Sequence, residues 1–121
     1  MNKLKLELRG AKVENRRINR RVKLQQLIEI SYSNQENLLD ANLEDISISG
    51  LRFSVNSPIT TGSEIFLMFE LPQENEGKII KCYGEVLWQE KNNNTYIIGL
   101  KFKHLYRSDK EALESYLKNS I

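Results

Sequence analysis

The sequence predicts an all-β fold, one antiparallel sheet rolled into a barrel, with a single helix at the C-terminal end. Three observations carry this. Apolar and polar residues alternate with period two through most of residues 22–102. Clusters of Asn, Ser, Gly and Pro interrupt the alternation at regular spacing, as turns between paired strands do. After Arg107 the apolar period becomes helical.

The elements follow in order. In residues 1–13, Leu4, Leu6 and Leu8 alternate with Lys3, Lys5, Glu7 and Arg9 and stop at Gly10, giving either a short strand or an arm that pairs only in some states. Val22, Leu24, Ile28, Ile30 and Tyr32 share one parity with Gln26, and only Leu27 breaks the pattern of a half-buried strand. Ser33 to Asn37 reads as a hairpin turn, and a second strand covers about Leu38 to Glu44. The polar turn Asp45 to Gly50 (DISISG) leads into a third strand, where Leu51, Phe53 and Val55 alternate with Arg52, Ser54 and Asn56.

Glu64 to Leu71 (EIFLMFEL) is nearly continuous in apolar residues and closed by Pro72, so it is expected to be central or buried on both faces. An acidic turn at Gln73 to Gly77 follows. Ile80, Cys82, Gly84, Val86 and Trp88 then share a parity in a long strand, Asn92 to Asn94 make a turn, and Tyr96, Ile98, Leu100 and Phe102 form the last strand. Ser108-Asp109-Lys110-Glu111 fits a capping box, and Ala112, Leu113, Tyr116 and Leu117 lie on one helical face that should cross the barrel.

Composition narrows the function classes. A chain of 121 residues with 40% hydrophobic and 28% charged residues suits one globular domain. No apolar run nears the ~20 residues of a membrane-spanning helix, and the N-terminal residues lack the apolar stretch of a signal peptide. The lone Cys82 excludes an internal disulfide and a multi-cysteine metal site, and a cytoplasmic location is the simplest expectation. No phosphate loop, metal-ligand cluster or catalytic pairing around the single His104 is legible, so no enzymatic activity and no cofactor are expected. His104 reads as a surface or barrel-edge residue, Cys82 as a small core residue rather than a nucleophile, and Trp88 as core or barrel rim rather than a base-stacking platform.

Charge is concentrated. Between Ala11 and Gln25, six basic residues face one acid, a balance of +5 that leaves −3 for the remainder of a chain whose net charge is +2. Four of the six are Arg16, Arg17, Arg20 and Arg21. Guanidinium is always charged and offers a fork of donors to phosphate oxygens or to the O6 and N7 of guanine. Such a cluster repels itself unless an anion is present; a solvated basic linker is the plainer reading. In the DISISG turn, Asp45 can accept from a guanine N1–H and amino group, Ser47 can bond a phosphate or a backbone group, and Gly50 is expected to adopt a backbone angle that other residues avoid. The plainer reading here is a turn whose side chains bond their own backbone. The two segments are expected to meet as one site.

Together these motifs resemble the PilZ domain family, bacterial receptor modules for cyclic di-GMP. The family is marked by R-x-x-x-R ahead of the first barrel strand and D/N-x-S-x-x-G between the second and third. Here the first fits as Arg16 with Arg20 or as Arg17 with Arg21, the second register being preferred because Arg16-Arg17 and Arg20-Arg21-Val22 match the family's usual string. Asp45, Ser47 and Gly50 match the second motif, and Gly84 to Trp88 and Tyr96 to Phe102 are similar to the last two strands. The resemblance implies a six-stranded antiparallel barrel over residues 14–121 with its helix at 108–121. It implies a cyclic di-GMP site in which Arg17 and Arg21 bind guanine edges and phosphates, Asp45 and Ser47 bind guanine and nearby polar groups, and Gly50 shapes the turn. Arg16 would occupy the position that favours an intercalated ligand dimer. The arginine segment would change conformation on binding and signal to a protein partner. DNA or RNA binding by a small barrel, and a ligand-free interaction module, are the competing readings.

Overall fold

Period-two alternation puts every second side chain inside a ring of strands, and the ring closes. The computed structural model describes residues 20–32, 38–72 and 77–120. It contains six strands, β1 (Val22–Tyr32), β2 (Leu39–Ile46), β3 (Gly50–Val55), β4 (Glu64–Leu71), β5 (Lys78–Asn92) and β6 (Thr95–Leu105), followed by helix α1 (Arg107–Asn119). All pairings are antiparallel, and the strands close in the order β1-β2-β3-β6-β5-β4. In that ring β2 and β5 stand opposite each other. The predicted fold class is the observed one. The N-terminal arm (1–13), Arg16, Arg17, the Ser33–Asn37 turn, most of the acidic turn and Ile121 lie outside the described residues.

The core takes the inward parity of each strand, including Ile30, Leu43, Phe53, Leu67, Ile80 and Ile98, none more than 1% exposed. Burying each such side chain stabilises the fold by roughly 1.5–3 kcal/mol before entropy is counted. Leu113 and Leu117, one helical turn apart, bring α1 into the same core. Gln26, the polar residue on the apolar parity of β1, has a specific role. Its amide accepts from the Glu70 N–H at 2.9 Å and donates to the Glu70 carbonyl at 2.8 Å, replacing a strand pairing near a register shift in β1.

Four expectations are corrected. β4 is buried on one face only: Ile65, Leu67, Phe69 and Leu71 point inward, whereas Met68 on the outer wall is 46% exposed. β2 continues through Asp45 and Ile46, so the turn proper is Ser47 to Ser49. The helix starts at Arg107 after Tyr106, with no side-chain cap, so the Ser108 capping box does not form. Asp109 instead sits in the first turn, buried beside Lys78 of β5 (3.4 Å) and favourably placed at the positive end of the helix dipole. Trp88 is not a core residue, because a register shift between Val86 and Trp88 turns its side chain to the outer wall.

Candidate functional site

The site grows from two irregularities in the ladders. Between β2 and β3 the register slips at Glu44, where one extra residue in β2 faces the partner strand. Leu43 and Ile46 both point inward as a result, and Asp45 is left on the outer wall directly opposite Arg52 of β3. On its other side Asp45 pairs with Lys23 of β1. Arg52 in turn pairs with Gly99 of β6, and Gly99 pairs with Trp88 of β5. One row across five strands therefore reads Lys23, Asp45, Arg52, Gly99, Trp88.

Asp45 is the anchor of this row. It is 6% exposed although it lies outside the barrel, because two guanidinium groups cover it. Arg21 Nη1 donates to Oδ1 at 2.7 Å. Arg52 Nε donates to Oδ2 at 2.8 Å, and Arg52 Nη2 donates to the same oxygen. Hydrogen bonding to Asp45 raises the Arg52 pKa above its ordinary value; Coulomb attraction from Asp45 and Glu44 adds to this, and partial burial opposes it. The arginine side chains keep 41% and 40% of their exposure, so each ion pair is solvent-screened and worth about 1 kcal/mol or less. Arg20 is exposed.

Ser47 is bonded within its own turn. Its N–H donates to the Gly50 carbonyl at 2.8 Å, its hydroxyl lies 3.3 Å from that oxygen and from Ser49 Oγ, and it accepts from the Ser49 N–H at 3.4 Å. Gly50 has no left-handed backbone, contrary to expectation; Gly62 is the glycine with positive φ among the described residues. What requires glycine at position 50 is close approach, since a Cβ there would lie 1.9 Å from the Leu100 carbonyl oxygen on β6. The missing side chain lets β3 and β6 meet beside the turn.

Gly99 works in a related way on the outer wall. A Cβ on Gly99 would fall 2.2 Å from Trp88 Cε2, so the indole occupies the place a side chain would take. Arg52 and Trp88 flank Gly99 from strands about 10 Å apart. Sequence reasoning missed both as members of the site. Arg52 could have been found from its outward parity and its place seven residues after Asp45, across a short hairpin. Nothing in the sequence signals the bulge that exposes Trp88.

Elsewhere on the wall, a shallow apolar groove of about 340 Å³ is lined by residues that include Phe66, Tyr83, His104 and Tyr106. The Phe66 and Tyr83 rings are tilted at 53° with centroids 5.1 Å apart. Among the described residues, no group of three or more His, Cys, Asp or Glu side chains could hold a metal ion. No helix among them is long and apolar enough to cross a membrane.

The model of the PilZ domain family matches residues 14–119, nearly the whole chain and both motif segments. The chain belongs to the PilZ domain family. No curated protein sequence matches it. Among solved structures it is similar to the Bacillus subtilis inhibitor of motility (MotI/DgrA), with a TM-score of 0.72 and 17% identity over 82% of this chain and 48% of that one. It thus spans about half the length of that relative. It is also similar to the PilZ domain of CeSA from a cellulose-synthesizing bacterium, with a TM-score of 0.54 and 12% identity over 82% of this chain and 95% of that domain. Identities this low support the barrel and its helix as the shared PilZ fold, not a shared ligand.

Proposed function

We propose that this PilZ domain is a non-enzymatic, cytoplasmic receptor for cyclic di-GMP, spanning residues 14–121, that signals to a protein partner. The observation that carries the reading is the outer-wall carboxylate of Asp45, covered by Arg21 and next in register to Arg52. A buried acid on a barrel wall with guanidinium donors around it has the parts that a guanine edge and a phosphate require. Arg17 and Arg21 are the arginines assigned to guanine and phosphate, with Arg16 and Arg20 beside them in the same segment. Asp45 and Ser47 receive the guanine and nearby polar groups, and Gly50 keeps β3 close to β6. A dianionic ligand neutralises the arginines and draws their segment onto the wall. The altered surface is what the partner reads.

The output we assign is motility or biofilm regulation. The Bacillus subtilis relative is an inhibitor of motility, and the other relative comes from a cellulose-synthesizing bacterium. The arginines occupy one short segment rather than a broad face, which favours a small ligand over DNA or RNA.

Isothermal titration calorimetry of the wild type, Arg21→Ala and Asp45→Ala tests this. Saturable heat with cyclic di-GMP, none with cyclic di-AMP, and loss of affinity in both variants is the expected pattern. No heat from the wild type at tens of micromolar ligand would refute the receptor reading.

A further inference from the structure

We propose that Arg52 is the positioning residue of this site, the fixed partner that holds Asp45 in place while Arg21 exchanges from Asp45 to the ligand. The inference rests on the receptor reading above for its ligand, but its first half is a property of the ligand-free protein.

The two arginines meet Asp45 on different terms. Arg52 lies within β3 and is the direct cross-strand partner of Asp45, so the ladder fixes the distance between their backbones. Its Nε and Nη2 both donate to Oδ2, and this two-donor contact pins that oxygen to β3. Arg21 stands just before the first residue of β1 and, among the described residues, meets Asp45 through a single bond, from Nη1 to Oδ1. Its pair with Asp45 is solvent-screened on the arginine side, which leaves the guanidinium open to exchange with a phosphodiester oxygen of the ligand.

The geometry divides the labour between the two oxygens. When Arg21 turns to a phosphate, Oδ1 is freed and Oδ2 stays on the Arg52 fork. The freed oxygen is then the acceptor that a guanine N1–H and amino group require. Without Arg52, the carboxylate loses the contact that orients it, and Arg21 becomes its only partner among these two. The ligand would then have to separate that pair and also orient the acid. Lysine cannot replace Arg52, since an ammonium has no planar fork.

A double-mutant cycle read by calorimetry with cyclic di-GMP tests the role, using Arg52→Gln, Asp45→Asn and the pair, with thermal unfolding to verify that each is folded. Each single change is expected to weaken binding about tenfold or more, the scale of a hydrogen bond to a charged group. The pair is expected to bind no more weakly than Asp45→Asn alone, because Arg52 acts through Asp45. Arg52→Lys is expected to lose affinity as Arg52→Gln does. Losses that add would mean that Arg52 touches the ligand itself and would overturn the assignment.

The ligand-free half is read from the side-chain Nε–H resonance of Arg52 in the NMR spectrum. It is expected to exchange slowly with solvent, to keep doing so in Arg21→Gln, and to lose protection in Asp45→Asn. Fast exchange in the wild type overturns the anchor whether or not ligand binds. Failure of the wild type to bind cyclic di-GMP, with this resonance protected, overturns the receptor reading and leaves the anchor standing.

Discussion

Two carboxylates in this protein are equally buried and chemically alike, yet they sit in opposite settings. Asp45 and Asp109 are each 6% exposed. Asp45 lies on the wall formed by β2 and β3 and accepts from two arginines whose heads stay 41% and 40% in water. Asp109 sits in the first turn of the helix and lies against β5, across the ring from β2, with Lys78 at 3.4 Å and the thiol of Cys82 near enough to feel its charge. The first acid is surrounded by donors that a ligand can recruit. The second meets a lysine at 3.4 Å, in the first turn of the helix and beside the core thiol. Burial alone does not mark a site; what matters is whether the partners of the buried group can be exchanged.

The largest effect falls where the Asp45 side is least forgiving. Gly50→Ala places a methyl group on the Leu100 carbonyl, an obstacle of main chain that cannot swing aside. Chemical denaturation should show a loss of about 3 kcal/mol or more, in the range of severe steric changes. Gly99→Ala meets the Trp88 side chain instead, which can move, and should cost less while disturbing the indole.

The two acids themselves give the next contrast. Asp45→Asn should weaken cyclic di-GMP binding by one to two orders of magnitude and change stability little, because its ion pairs are solvent-screened. Asp109→Asn should leave binding intact and cost about 1 kcal/mol of folding stability through the helix dipole. If Asp109→Asn abolished binding, the division between a ligand wall and a structural end would fail.

Much of this was legible in the sequence, and the misses share a cause. Alternation located all six strands, and the D-x-S-x-x-G string located the hairpin that carries Asp45. Parity counting fails at a bulge. Counting by twos from Ile80 puts Trp88 in the core, but one extra residue at Leu87 turns it outward. The extra residue at Glu44 sets Asp45 on the wall although Leu43 and Ile46 both point inward. Gly50 was misread for another reason: its need for glycine arises from a strand about 50 residues away, which no local pattern reports. The helix start was misplaced because Asp109 is held by Lys78 of β5, a tertiary contact, where the sequence offers Ser108 as a cap.

A smaller, pH-dependent effect belongs to the Asp109 side. Burial, with a contribution from the Asp109 charge, raises the Cys82 thiol from 9.0 to about 12. Above pH 9 the unfolded thiol loses its proton while the folded one keeps it. The folded state then holds more protons, and stability falls as pH rises from 9 toward 12, at up to ~1.4 kcal/mol per pH unit from this group. Urea unfolding across that range should lose this component of the slope in Cys82→Ala, and Asp109→Asn should shift its upper limit downward. Asp45→Asn should leave the slope unchanged. The smallest effect is expected at the exposed Arg107–Glu111 pair, where Arg107→Ala should change stability by less than about 0.5 kcal/mol.

The most direct test of the division between wall and end is a backbone amide NMR map of the wild type titrated with cyclic di-GMP. The account predicts shifts centred on Arg20 to Lys23, Asp45 to Arg52, Trp88 and Gly99, with α1 silent. Shifts centred instead on the Phe66, Tyr83 and His104 groove or on the helix around Asp109, or no shifts at saturating ligand, would contradict it.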